Sequence, residues 1–353
     1  VAQSQGDFTK LGIDEQILKN LVSKGYTSPT PIQEQAIPLI MQKKDLVGLA
    51  NTGTGKSAAF LIPLAQFTKQ TRSYKSLVVV PTRELALQLV QELGSLTHGM
   101  QLRAVLCVGG TSLYNQVKQL RAPHNFVIGT PGRLKDLVNR GNLRLQEFSA
   151  VVLDEVDRML DMGFINDVRF LVEKLPASRQ SLFFSATLDA KVNSVLASFS
   201  QNPEKVSVKT SVTSDNVEQN IIRFGAIDDK LQKLVDLLKQ DDVTKAIVFV
   251  RTKHGADKLN TRLFKEHIRV NCIHGDKRQN YRDKVVSDFK AGIIDVLVAT
   301  DVAARGLDVS GISHVVNFDM PATYEDYTHR IGRTGRAGKL GKALTFVEAS
   351  RTA

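Results

Sequence analysis

Short apolar runs recur along this chain at regular intervals. In the first half they are Leu46–Ala50, Leu77–Val80, Arg103–Val108, Phe126–Gly129, Ala150–Leu153 and Leu182–Phe184. Each is apolar or β-branched throughout, the pattern of a parallel-sheet strand covered on both faces. Amphipathic stretches long enough for crossover helices separate them. Upstream, residues 13–23 and 31–42 read as two helices, with Thr30 as a cap and Pro31 in the first turn of the second. The rhythm fails over residues 200–218, which are polar and turn-rich, and resumes with Ile221–Phe224, Ala246–Val250, Val270–Ile273, Val296–Ala299, Val315–Phe318 and Ala343–Val347. The pattern predicts two α/β domains, residues 1–208 and 218–353, joined by a linker at 209–217.

Composition narrows the picture. No apolar run approaches the roughly 18 residues of a membrane span, and the polar first twenty residues show no signal-peptide pattern. Starting at Val1 and not Met, the chain is read as a fragment or processed form. Cys107 and Cys272 each sit inside an apolar run, as buried thiols do, so a reducing, cytoplasmic setting is expected. The net charge is +11, and the excess is divided between the halves: +7 over residues 1–209 and +4 over the remainder. A polyanion lying across two surfaces would account for that, and so would simple solubility.

Two stretches carry candidate chemistry. Ala50-Asn51-Thr52-Gly53-Thr54-Gly55-Lys56-Ser57 follows a predicted strand and opens a predicted helix, the context a phosphate-binding loop requires. Glycines let backbone N–H groups face an anion, Lys56 can reach the β- and γ-phosphates, and the Ser57 hydroxyl can ligate Mg²⁺. Val151-Val152-Leu153-Asp154-Glu155-Val156-Asp157 is a buried strand ending in acids. Alone it could be a polar turn. Beside a phosphate loop it reads as the other half of a nucleotide-hydrolysing site, with Asp154 holding Mg²⁺ and Glu155 taking a proton from water.

Further motifs recur in order: Gly25-Tyr26 with Pro29 and Ile32-Gln33, Pro81-Thr82-Arg83-Glu84-Leu85-Ala86, Gly109-Gly110, Thr130-Pro131-Gly132-Arg133 and Ser185-Ala186-Thr187. The second half adds Ala299-Thr300-Asp301 through Arg305-Gly306-Leu307-Asp308, then His329-Arg330-Ile331-Gly332-Arg333-Thr334-Gly335-Arg336. On these, essentially the whole chain resembles a DEAD-box ATP-dependent RNA helicase of superfamily 2. Arg158-Met159-Leu160-Asp161-Met162-Gly163-Phe164 and Arg251-Thr252-Lys253-His254-Gly255-Ala256 are most similar to the bacterial RhlE-like subgroup. The family has alanine where this chain has Val156 and commonly glutamine and threonine where it has Asn51 and Ser57. Ala50 stands where phosphate loops usually begin with glycine.

The resemblance implies two tandem RecA-like domains, ATP and Mg²⁺ as cofactors and RNA as partner, with a core that is monomeric. It implies nucleotide contacts from Thr52, Gly53, Thr54, Gly55, Lys56 and Ser57, and adenine reading by Gln33, whose amide can donate and accept at once. Phe8 would stack on the base or anchor the N-terminal arm, Tyr26 would support the pocket, and Asp308 would meet the ribose. Ser185 and Thr187, with Asp157 and His329, would couple nucleotide state to RNA, although strand-end capping also explains the two hydroxyls. Arg333 and Arg336 would act on the γ-phosphate as arginine fingers, or else bind RNA phosphates. RNA contacts would come from Thr82, Arg83, Gly110, Thr130, Gly132 and Arg133, and from Arg251, Gly275, Gln279, Arg282 and Thr300. These hydroxyls, glycine amides and guanidinium groups suit sugar–phosphate contact without base reading. Three other readings share parts of the pattern: a DNA-directed relative, an ATP-gated RNA clamp and a small-molecule phosphotransferase. Val156 is expected to be tolerated.

Overall fold

A computed structural model describes residues 7–50, 53–188, 190–200, 202–208, 217–304, 309, 311–335 and 340–349. The chain divides into two compact units, Val1–Thr210 and Ser211–Ala353. Most of the expected linker, residues 209–216, lies outside the described residues.

Among its described residues the first unit holds seven strands: β1 (Leu46–Leu49), β2 (Ser76–Val79), β3 (Ala104–Cys107), β4 (Phe126–Gly129), β5 (Ala150–Asp154), β6 (Gln180–Ser185) and β7 (Glu204–Ser207). Their order across the sheet is β3-β4-β2-β5-β6-β1-β7, and the pairings are parallel. Helices cover both faces, so both must be apolar. Along β5, Ala150 and Val152 join one core cluster, while Val151 and Leu153 join the other. All four are fully buried, which is the period-two alternation of a strand with two dry faces. Phe60 packs on Phe184 at 5.3 Å between ring centroids on one face, and Phe183 stacks on Phe199 on the other.

Strand β7 was not anticipated. It pairs with β1 at the sheet edge and buries only Val206, so its polar residues carry little strand signal.

The second unit holds β8 (Val217–Phe224), β9 (Ala246–Phe249), β10 (Val270–Ile273), β11 (Val296–Ala299), β12 (His314–Asn317) and β13 (Gly341–Glu348). The order is β10-β11-β9-β12-β13-β8, again parallel. The central strands β9 and β11 are buried throughout, as their sequences predict. Strand β8 begins four residues earlier than expected because it lies on the edge with most side chains exposed. Among the described residues, no helix is long and apolar enough to cross a membrane.

Candidate active site

Sheet order and register build the site. In the first unit β5, β6 and β1 are neighbours, and Leu49 pairs with Ser185 while Asp154 pairs with Phe184. The acidic stretch, the Ser185-Ala186-Thr187 segment and the glycine-rich loop therefore leave the same carboxyl edge. Strands lie about 4.8 Å apart, so the outer two are separated by roughly 10 Å at that edge. Ligands of open parallel sheets bind there.

Asn51 and Thr52 fall outside the described residues. Gly53 and Gly55 have φ of 87° and 90°, left-handed values that side-chain-bearing residues avoid. Gly55 is held a second way. Its carbonyl accepts from Gln33 Nε2 at 3.1 Å, and a Cβ there would meet the Gln33 amide and approach Thr30 Oγ1 to 2.9 Å. Lys56 opens the helix Lys56–Gln70 and is 6% exposed, and its buried Nζ has no hydrogen-bond partner among the described residues. A buried ammonium lacking a partner is costly unless an anion supplies one. It sits at a helix N-terminus, whose free N–H groups favour the same anion. Ser57 is half-buried one residue on, and Thr54 precedes Gly55 in the same loop.

Asp154 ends β5 almost fully buried, and its Oδ1 accepts from Glu155 N at 2.9 Å. Burial pushes its carboxyl up to about 6, opposed by the nearby Lys56 ammonium and aided by repulsion from Glu155. An anion disfavoured by its surroundings is one that a cation would stabilise, so Asp154 and the Ser57 hydroxyl fit a hard divalent metal. Glu155 caps the helix Val156–Asp161 with φ 53° and ψ 53°. A glutamate in this left-handed region stores roughly 1–3 kcal/mol, a cost found at functional sites. Its Oε2 accepts from Arg158 Nη1 at 2.5 Å, and both side chains are under 10% exposed. Arg158 was missed as a site residue. The available signal was a base three positions after an acid on a helix.

The third acid serves a different neighbour. Asp157 Oδ2 accepts from Ala186 N at 3.0 Å and from Thr187 N and Oγ1 at 3.3 and 3.5 Å, while Asp157 N donates to Ser185 Oγ at 3.4 Å. The expected link between the hydroxyl segment and the acidic stretch is thus made through Asp157. Val156 is 2% exposed in the apolar cluster with Met159 and Phe183, so its extra methyl groups enter the core.

Gln33 is fully buried. Its Oε1 accepts from Thr30 N at 2.9 Å while Nε2 reaches the phosphate loop. Phe8 is 5% exposed within the core, the position of an anchor, and little of its ring is left for a base. Tyr26 packs against that core and donates to Glu92 at 3.4 Å.

The first-unit RNA candidates lie at helix starts and turns along the same edge. Thr82 and Thr130 are N-caps of the helices Arg83–Leu96 and Pro131–Asn139. Thr82 is 8% exposed, and its hydroxyl accepts from Leu85 N. Arg83 lies so close to Gly110, at φ 71°, that a Cβ there would strike its guanidinium group. Gly132 is exposed, and Arg133 donates to the Thr111 carbonyl.

In the second unit Arg251 and Gly275 are exposed, following β9 and β10, and Arg282 is half-buried. Thr300 is 8% exposed after β11. Gln279 starts the helix Gln279–Lys290, and its side chain is outside the described residues, as are Asp308 and Arg336. His329 and Arg333 line a small pocket with Phe249, Asp301, Ala304, Asp326 and Arg330. Arg330, which the sequence did not single out, is 2% exposed. It donates to both Asp301 oxygens at 2.6 and 2.8 Å, to Asn317 Oδ1 and to the Asp319 carbonyl.

His274 precedes Gly275, one of the RNA candidates. The histidine is 4% exposed and turned inward, with Nε2 3.1 Å from Asp257 Oδ2. Asp257, Cys272 and His274 converge closely enough to hold a metal. The Lys277 ammonium already lies 2.8 Å from Asp257 and is the main cause holding its carboxyl down at about 2. The cluster is an ion-paired network whose cation is internal. Cys107 and Cys272 are both free and buried.

Comparison with known proteins agrees with this geometry. The DEAD/DEAH box helicase family model matches residues 30–195, and the helicase conserved C-terminal domain matches residues 229–338. The ATP-dependent RNA helicase CshA of Listeria monocytogenes is 43% identical over 97% of this chain and 66% of its own length. The DEAD-box ATP-dependent RNA helicase CshA of Geobacillus kaustophilus is 44% identical over 96% of this chain and 73% of its own length. The chain therefore spans about two thirds to three quarters of these relatives. Among solved structures, S. cerevisiae Dbp5 bound to RNA and ADP BeF3 is 30% identical with a TM-score of 0.87, covering 97% of this chain and 90% of that one. With both domain models matched in order, these relatives along nearly its whole length and a nucleotide-type site at the shared sheet edge, the chain belongs to the DEAD-box family of ATP-dependent RNA helicases.

Proposed function

We infer that the chain is an RNA-dependent ATPase that locally unwinds or remodels short RNA duplexes by closing its two units around ATP and RNA. The observation that carries this is the pairing of a buried Lys56 ammonium, without a hydrogen-bond partner among the described residues, with a buried, destabilised Asp154 carboxylate on one sheet edge. The attraction between them does not offset the burial of Asp154, whose carboxyl stays raised, and a nucleotide phosphate with a divalent metal would supply a partner to each. Mg²⁺, when bound, would neutralise charge on the phosphates and orient their oxygens.

The residues then have the following work. The loop Gly53–Ser57 and Lys56 hold the β- and γ-phosphates, with Ser57 and Asp154 as metal ligands. Gln33 reads adenine with the amide hydrogen and lone pair left over from its bonds to Gly55 and Thr30, Tyr26 and Asp308 complete the nucleotide pocket, and Phe8 anchors the N-terminal arm. Glu155 takes the proton of the attacking water. Arg333 and Arg336 stabilise charge developing on the γ-phosphate once the units close. Asp157, Ser185, Thr187 and His329 pass the nucleotide state to the RNA-binding loops. Thr82, Arg83, Gly110, Thr130, Gly132, Arg133, Arg251, Gly275, Gln279, Arg282 and Thr300 grip the sugar–phosphate backbone without reading sequence. Closure bends one strand and so strains a short duplex.

The test is ATP turnover with matched RNA and single-stranded DNA, followed by strand displacement on a short RNA duplex. RNA should stimulate turnover and DNA should not. Equal stimulation by DNA would overturn the substrate reading, and turnover without displacement would favour an ATP-gated clamp.

A further inference from the structure

One buried ion pair at this site has no role in the scheme above. Arg158 and Glu155 bond through Nη1 and Oε2 at 2.5 Å, with side-chain exposures of 8% and 9%. Charge-assisted hydrogen bonds are strong where water is excluded, and the planar guanidinium fixes the direction of the carboxylate it holds. A carboxylate held by a cation is a weaker base towards water, because the cation stabilises its ionised form and fixes its direction.

The pair stands on a short mechanical path. Arg158 lies one residue beyond Asp157 on the helix Val156–Asp161, and Arg158 N donates to Asp157 Oδ1 at 2.9 Å. The other oxygen of Asp157 accepts from Ala186 N, Thr187 N and Thr187 Oγ1. The segment after β6 is therefore tied to the first turn of the helix that carries Arg158. Behind that turn, Val156 and Met159 are anchored in the core at 2% and 1% exposure. A six-residue helix held on one side by apolar packing and on the other by Asp157 moves as a unit. Its N-cap is Glu155 itself, in a left-handed conformation that a small rotation would relieve.

We propose that Arg158 is a positioning residue that withholds Glu155 in the absence of RNA, and that a shift of the Ser185–Thr187 segment releases it through Asp157. This rests on the reading of Glu155 as the base. The Arg158–Glu155 pair is the resting state. Opening it frees Oε2 for the attacking water.

ATP turnover of the chain with and without saturating RNA tests this in Arg158→Gln and Arg158→Lys. Arg158→Gln removes the charge but can still donate to Glu155, and Arg158→Lys keeps the charge but loses the planar guanidinium group. Since removing one partner of a buried pair can prevent folding, both are first checked by thermal unfolding, and the lysine variant keeps the test open if the glutamine variant fails. Turnover without RNA should rise at least about fivefold in Arg158→Gln while turnover with RNA does not rise, and Arg158→Lys should restore part of the low resting rate. A merely structural arginine would give equal losses with and without RNA. That result, or unchanged stimulation by RNA, overturns the proposal. Glu155→Gln is run beside them. Turnover retained in that variant would instead sink the assignment of the base.

Discussion

Two buried cations, one in each unit, are treated in opposite ways. In the first, Lys56 Nζ is buried with no hydrogen-bond partner among the described residues, beside a carboxylate that burial has pushed up to about 6. In the second, Arg330 is equally buried but bonded to Asp301, Asn317 and the Asp319 carbonyl, with Phe249 beneath its guanidinium group. The first arrangement is costly to the folded chain and is complete only with a ligand. The second is self-sufficient and orients the helix Tyr324–Ile331, and His329 on that helix and Arg333 in the turn after it line a common pocket. A family motif can thus mix groups that act on substrate with groups that hold the others in place, and the pattern of satisfied bonds separates them.

Three substitutions sharpen this contrast. Arg330→Ala should have the largest effect, about 3–5 kcal/mol of lost stability, because it leaves Asp301 and the other acceptors without their cation. Hydrogen exchange in β9 and β12 should show the loss locally, and unaltered protection there would mean the network is not structural. Lys56→Ala should do the converse. Melting should change little, because the cost of the buried ammonium goes together with the attraction it gives Asp154, while turnover falls by roughly 10²–10³-fold, or 2.7–4 kcal/mol. A destabilised Lys56→Ala chain would show that the ammonium already has a structural partner. Val156→Ala should have the smallest effect. Removing two buried methyl groups costs about 2 kcal/mol in urea unfolding, with little change in turnover because the side chain enters the core. A large gain in turnover would mean that the valine distorts Glu155.

Much of this was legible in the sequence, for identifiable reasons. The inner strands β4 and β11 bury every residue, the edge strand β10 nearly every one, and their apolar runs marked their bounds without error. The edge strands β7 and β8 bury one residue each, so hydrophobic pattern could not find the first or size the second. The phosphate loop and acid pair were visible because their chemistry lies in contiguous residues. Pairings fixed by backbone conformation or tertiary approach were not. Nothing local indicates that Glu155 adopts a left-handed φ or turns to Arg158. Arg330 meets Asp301 across 29 residues, and His274 meets Asp257 across 17. Phe8 shows the limit of reading a role from a motif, since its burial is that of an anchor.

The central claim is that the strained, buried glutamate at the end of β5 is the base of an RNA-dependent ATPase. Glu155→Gln tests it most directly, because the amide keeps the size and most hydrogen bonds of the side chain but cannot take a proton. With RNA and ATP–Mg²⁺ present, turnover should fall by roughly 10²–10⁴-fold while the chain retains both ligands. A Glu155→Gln chain that hydrolyses ATP at the parent rate would contradict the account.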